Sequence, residues 1–180
     1  PWRVEETYGT LRRAFEDYGR RGELAKNDII FFSAWLTHYV SDAHVPFHAV
    51  INYDGQLTGQ NGIHARFEST MFERYRDRLT IAPKPMAAIS NPRDFGFATL
   101  LASNRLVPAI LKADLHAIGT RNEYDTAYYD AFFNANRTVL ERQLSDAIAS
   151  TAAIITGAWE AAGKPPVPVN PPARVQRRVR

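Results

Sequence analysis

Between Asp28 and Asp42 the chain runs for thirteen residues, IleIlePhePheSerAlaTrpLeuThrHisTyrValSer, without an Asp, Glu, Lys or Arg. Read as a helix, Ile29, Ile30, Phe31, Phe32, Ala34, Trp35, Leu36, Tyr39 and Val40 surround the axis on nearly every side. A helix of that kind is expected in the middle of a fold rather than on its surface. Polar groups then arrive at tight spacing: His38, Asp42, His44 and, past Pro46, His48, followed by His64 and Glu68. Buried polar side chains must be paired or bound to metal. The stretch from Asp28 to Glu68 is therefore where chemistry is to be sought.

The rest of the chain reads as helices around this one. Val4, Tyr8, Leu11, Ala14, Phe15 and Tyr18 recur near the helical period after a short approach strand or loop. Gly19 and Gly22 are expected to stop that helix, and Asn27 or Asp28 to cap the next. Pro46 lacks an N–H and its ring opposes the Asp42 carbonyl, so the central helix should kink or end near Val45 and let His48 turn back. Asn52 to Gly62 reads as a loop, with Asn61 as a cap for a helix reaching about Leu79. Three prolines mark residues 82–92 as a connection, and Pro108 kinks or divides the helical span 94–118. Residues 123–162 form a helical pattern too long for an unbroken element, so a bend or division is expected. Its apolar set is Tyr124, Tyr128, Phe132, Ala135, Val139, Leu144, Ile148 and Ile155. No segment alternates as a strand. The expectation is an all-α domain over residues 1–162, an irregular bundle of about five to seven helices, with a Pro-rich basic tail at 163–180 that is extended and mobile.

Composition narrows the chemistry. Cys is absent, which removes disulfides, thiolate catalysis and sulfur-ligated metals and leaves His and carboxylate as ligands. The net charge of +3, part of it in the tail Arg174 to Arg180, is weak support for an anionic partner. No apolar run approaches the length of a membrane span. The chain begins at Pro1 with neither Met nor a signal-like segment, so a processed or truncated piece is expected.

Residues i and i+4 share one face of a helix. His38 and Asp42 form one such pair, and His64 and Glu68 another. Once Pro46 has turned the chain, His48 can join either. His48, His64 and Glu68 then make a set of two imidazoles and one carboxylate that leaves a position open for water, the composition of a catalytic zinc site. A lone His–x3–Asp on a helix is usually a hydrogen-bonded pair. Two pairs, a third His and four of the five histidines within 27 residues favour metal. His44 lies two positions from Asp42 on a different face and reads as a supporting or structural group, and His116 stands alone on a later helix.

The run HisTyrValSerAspAlaHisValProPheHis, followed by GlyIleHisAlaArgPheGlu, resembles the zinc-dependent phospholipase C family, which is fold-related to the single-strand-specific zinc nucleases. The match covers Leu36 to Glu68. The resemblance implies a three-zinc centre in which His38 helps hold the first zinc and Asp42 bridges the first and third. His48, His64 and Glu68 would hold the second. Glu68, where the nucleases usually have Asp, leans toward the phospholipase branch, as does the short GlyIleHis segment. The same resemblance implies a secreted, periplasmic or cell-surface protein. The family's remaining ligands come from upstream, as an Asp, two His and an N-terminal Trp. This chain has no His before His38, and its Trp2 follows Pro1. The resemblance thus describes the C-terminal part of a larger domain, its metal centre completed by an upstream segment or a second chain. In this chain one site would be complete and one partial.

Three functions follow as expectations. The first is zinc-dependent hydrolysis of a phosphodiester, leaning to phospholipids, with Asp42 and Glu68 as the catalytic carboxylates. The second is a nuclease-like phosphodiesterase, for which Tyr39, Phe47, Tyr53 and Phe67 are candidate stacking rings, at least two of them expected to be core. The third is a catalytically impaired homologue that keeps the fold as a structural or interaction protein.

Overall fold

A computed structural model describes residues 1–167, the Glu23 side chain excepted; the expected mobile tail falls mostly outside them. Among the described residues there is no strand, and the chain is an all-α irregular bundle. Helix α1 (Trp2–Arg21) runs through Gly19 and ends at Gly22, whose φ of +55° suits glycine. A lone Gly inside a helix costs only about 1 kcal/mol relative to Ala, so Gly19 is tolerated. The approach strand or loop is absent, because the helix begins at Trp2. Helix α2 (Glu23–Ala43) starts directly after Gly22, which places Asn27 and Asp28 inside it rather than at its cap.

The chain then makes a single 3-10 turn, Pro46–Ala49, with Pro46 at its start. After the loop a composite helix α3 follows: α-helical at Ile63–Ala65, π-helical at Arg66–Thr70 and α-helical again at Met71–Tyr75. Its cap is Gly62, at φ +82°, rather than Asn61. Helices α4 (Pro92–Asn104) and α5 (Val107–Ile118) flank a turn, with Pro108 in the first turn of α5, where a missing N–H costs nothing. Helix α6 (Thr126–Ala161) runs for 36 residues as one undivided element, roughly 54 Å long. The side chain of Asp125 caps it by accepting from the Tyr128 N–H.

The expected division of α6 is missing because tertiary packing supports the helix at both ends. Its first half packs Tyr128, Phe132, Phe133 and Leu140 into a core with Phe47, Ile63, Phe67, Met71, Val107 and Ile110. Its second half places Ile154 and Ala158 in another core, against Leu11, Phe15, Leu36 and Val40 of the α1–α2 hairpin. The expected apolar set of α6 is corrected at three points: Tyr124 lies ahead of the helix and is 43% exposed, and Ala135 and Ile148 are exposed, the latter at 50%.

The expectation for α2 also needs correction. It buries Ala25, Ile29, Leu36, Val40 and Ala43, yet Ile30, Phe31 and Trp35 are 59%, 55% and 42% exposed. Among the described residues, α1, α4 and α6 pack on this helix, and they leave that face uncovered. Phe31, Trp35 and Tyr39 instead form a ladder of ring contacts along it, with centroids 6.0 and 5.6 Å apart.

Residues 79–91 strap the middle of α6. The Ile89 N–H donates to the Ala153 carbonyl (3.0 Å), the Ala82 N–H to Ser145 Oγ and the Thr80 N–H to Glu141 Oε1. Gly157 makes this close approach possible, since a Cβ there would lie 1.9 Å from the Ile89 carbonyl oxygen. Gly157→Ala is therefore expected to destabilise the fold by about 1–3 kcal/mol through overpacking. Denaturant unfolding checks this, and a neutral result would mean that the strap does not sit on α6 as described.

Candidate metal centre

The end of α2 at Ala43 and the Pro46 turn decide where His48 points. Its Nδ1 faces Asp42 Oδ2 at 3.6 Å and its Nε2 faces Glu68 Oε2 at 3.5 Å. On α3, His64 Nε2 lies 2.8 Å from Glu68 Oε2. The two imidazoles stand edge to face, with centroids 4.8 Å apart and planes at 80°. Ligand atoms of His48, His64 and Glu68 all lie within 4.8 Å of one another. Tetrahedral zinc with bonds of about 2.1 Å needs its ligands roughly 3.4 Å apart, so this set fits with side-chain adjustments of an ångström or less.

His38 and Asp42 are placed differently. His38 Nε2 lies 3.5 Å from Asp42 Oδ2, and the His38 side chain is 61% exposed. Asp42 thus stands between two imidazoles, and it faces the ring nitrogen of His48 that is turned away from Glu68. A carboxylate in that position holds the tautomer and orientation of a metal-binding His. Asp42→Asn should accordingly weaken zinc binding about 10–100-fold, measured by competition with a chromophoric chelator, while the melting temperature of metal-free protein changes little.

Charge is distributed consistently with a cation site. The neighbouring Glu68 carboxylate raises the His48 pKa above its usual value, outweighing the opposing effect of burial, with Asp42 adding to it. Glu68 is in turn held below the usual carboxylate range, chiefly by His48 and further by His64. Without metal, the stabilisation from His48 is complete below about pH 6.5 and is lost as pH rises through its raised folded value. That from Glu68 is present above about pH 4.5 and is lost as pH falls through its depressed folded value. The melting temperatures of chelator-treated wild type and Glu68→Gln should therefore differ most between about pH 4.5 and 6.5 and converge on both sides. A constant difference across that range would contradict the pairing.

The other histidines lie elsewhere. His44 is buried, with Nε2 3.1 Å from Ser150 Oγ, and burial pushes its pKa down. His116 is exposed on α5. Of the candidate stacking rings, Phe47 and Phe67 are core residues at 0% and 2% exposure, whereas Tyr53 is exposed.

Sequence reasoning missed the group beneath the site. Arg66 lies between His64 and Glu68 in sequence but turns inward, where its Nη2 meets Asp114 Oδ1 at 3.2 Å. Arg66 also donates to Tyr128 Oη and to the carbonyls of Gln60 and Asn61, and its guanidinium stacks 3.9 Å from the Tyr124 ring centroid. Asp114 accepts further bonds from Tyr128 Oη and from Gln60 Nε2. Burial, reinforced by Asp114, raises the Tyr128 pKa. This network fastens the start of α3 to α5 and α6, and so sets the face on which His64 and Glu68 emerge. Glu68 itself lies in the π-helical segment Arg66–Thr70, a distortion often found at functional sites. No sequence spacing links Arg66 to Asp114, 48 residues away; a lone Arg inside a His-x3-Glu pair was the available signal. No family model, curated protein or solved structure matches this chain.

Proposed function

We propose that this chain carries the metal-binding core of a zinc-dependent phosphodiester hydrolase, leaning to phospholipid substrates. The observation that supports the reading most is the convergence of His48, His64 and Glu68 to within 4.8 Å, two imidazoles and one carboxylate. When bound, zinc would supply Lewis acidity and a water whose pKa is brought toward neutrality. The protein groups do the rest. His48, His64 and Glu68 hold the ion, and Asp42 orients His48 from behind. Asp42 and His38 form the adjoining half-site, which the resemblance assigns to further zinc ions with ligands from an upstream segment or a second chain. The reading also places the protein outside the cytoplasm, as the resemblance does.

Elemental analysis of purified protein, together with hydrolysis of bis(p-nitrophenyl) phosphate, tests the reading. Bound zinc and chelator-sensitive turnover are expected. Zinc without turnover would favour the impaired homologue, a reading supported by the two-residue half-site at His38 and Asp42. Absence of zinc would sink both.

A further inference from the structure

The three converging ligands reach the centre by two routes. His64 and Glu68 share helix α3, so their relative placement follows from one element. His48 arrives separately, on the single turn Pro46–Ala49, and the group of three exists only if that turn is held in place. In a helix that continued past Ala43, the N–H groups of Phe47 and His48 would satisfy the carbonyls of Ala43 and His44. The break at Pro46 ends the helix, and the His48 N–H goes instead to the Val45 carbonyl at 3.1 Å.

Side chains from two distant helices take the place of the missing donors. Ser103 of α4, which is buried, donates from Oγ to the Ala43 carbonyl at 2.6 Å. Gln143 of α6 donates from Nε2 to the His44 carbonyl and to Ser103 Oγ, the latter at 3.1 Å. At the far end of the turn, Asn104 Nδ2 donates to the Ala49 carbonyl at 2.8 Å. His48 therefore lies between carbonyls fixed from outside on both sides. These bonds reach the backbone of the segment rather than the imidazole. A carbonyl left unpaired away from water costs free energy, so each donor favours the one turn conformation that brings its acceptor within reach. Without a donor the turn populates other conformations, and the apparent metal affinity falls with the fraction that remains competent. We propose that Ser103, Asn104 and Gln143 are positioning residues that present His48 to the metal centre. The effect on zinc rests on the zinc-hydrolase reading above; the placement of His48 against His64 does not.

The test uses Asn104→Asp and Gln143→Glu, which keep the side-chain size but replace a donor by an acceptor, with Ser103→Ala and Ser103→Thr, which remove or keep the hydroxyl. Zinc affinity is measured by chelator competition at temperatures where circular dichroism shows each variant folded. In zinc-free protein, NMR cross-relaxation between the ring protons of His48 and His64 reports their contact, with ring centroids 4.8 Å apart. Asn104→Asp, Gln143→Glu and Ser103→Ala should each weaken zinc binding about tenfold, as for a turn that presents His48 about a tenth of the time. Each should also lose most of the cross-relaxation. Ser103→Thr should stay near wild type in both. Gly157→Ala, which destabilises the fold at the strap, should change neither, and so separates positioning from loss of stability. If Ser103→Ala does not fold, Asn104→Asp, at a half-buried position, decides the matter. Cross-relaxation lost in the variants of a wild type that binds no zinc would retain the positioning role and remove the zinc reading. Zinc bound equally by wild type and all variants, with cross-relaxation unchanged, would do the reverse. Wild-type protein without the His48–His64 signal, or a loss of affinity matched by Gly157→Ala, would also overturn the positioning role.

Discussion

Asp114→Ala is expected to destabilise the protein by about 3–5 kcal/mol, because it strands a buried guanidinium without its counter-charge. For a domain of this size that corresponds to a fall of roughly 6–20 °C in melting temperature. The side chains of Arg66 and Asp114 are only 7% and 2% exposed, so water cannot replace the lost carboxylate without local opening. The Tyr128 hydroxyl and the Gln60 amide lose a partner as well. Metal affinity should fall with stability, since Arg66 holds the helix on which His64 and Glu68 sit. The exposed pair Arg142–Asp146 provides the comparison, with side chains 75% and 46% exposed. Asp146→Ala should unfold within about 1 kcal/mol of wild type. Thermal unfolding of the two variants checks both statements, and equal melting temperatures would contradict the role given to the network.

His64→Ala is expected to have the largest effect on metal. Removing one of three protein ligands should weaken zinc binding by more than the roughly 10–100-fold typical of outer-shell changes. His38→Ala should retain one zinc per chain, because His38 contacts Asp42 and lies outside the group of three converging ligands. His44→Ala should leave zinc unchanged but lower stability, since His44 is buried against Ser150 of α6. Isothermal titration of the three variants separates these roles. A larger loss in His38→Ala than in His64→Ala would move the centre to the other pair.

Much of this arrangement was legible in the sequence because it is local. The i, i+4 pairs and the Pro46 break act over a few residues, so the return of His48 toward one of the two pairs could be anticipated from proline chemistry, which left open which of them it joins; in the fold it faces both Asp42 and Glu68. The Gly22 stop, the loop before α3 and the absence of strands among the described residues follow in the same way. What was not legible depends on partners far along the chain. Whether Phe31 and Trp35 are covered depends on what packs against α2, and periodicity carries no information about that. The unbroken run of α6 reflects two cores that only the folded chain assembles. The Arg66–Asp114 pair joins segments 48 residues apart and leaves no periodic trace. Ile148 matched an apolar stripe but lines an open cavity between α2, α3 and α6, a space that forms only when segments far apart in the chain come together.

The most direct measurement is zinc content and coordination in purified protein, by elemental analysis and X-ray absorption at the zinc edge. The account predicts at least one ion per chain, held by two imidazole nitrogens and a carboxylate oxygen, and lost in His48→Ala, His64→Ala and Glu68→Gln. It also predicts that chelation lowers the melting temperature of the wild type. Protein that retains no zinc, and whose melting temperature does not respond to added zinc or to chelator, would contradict it.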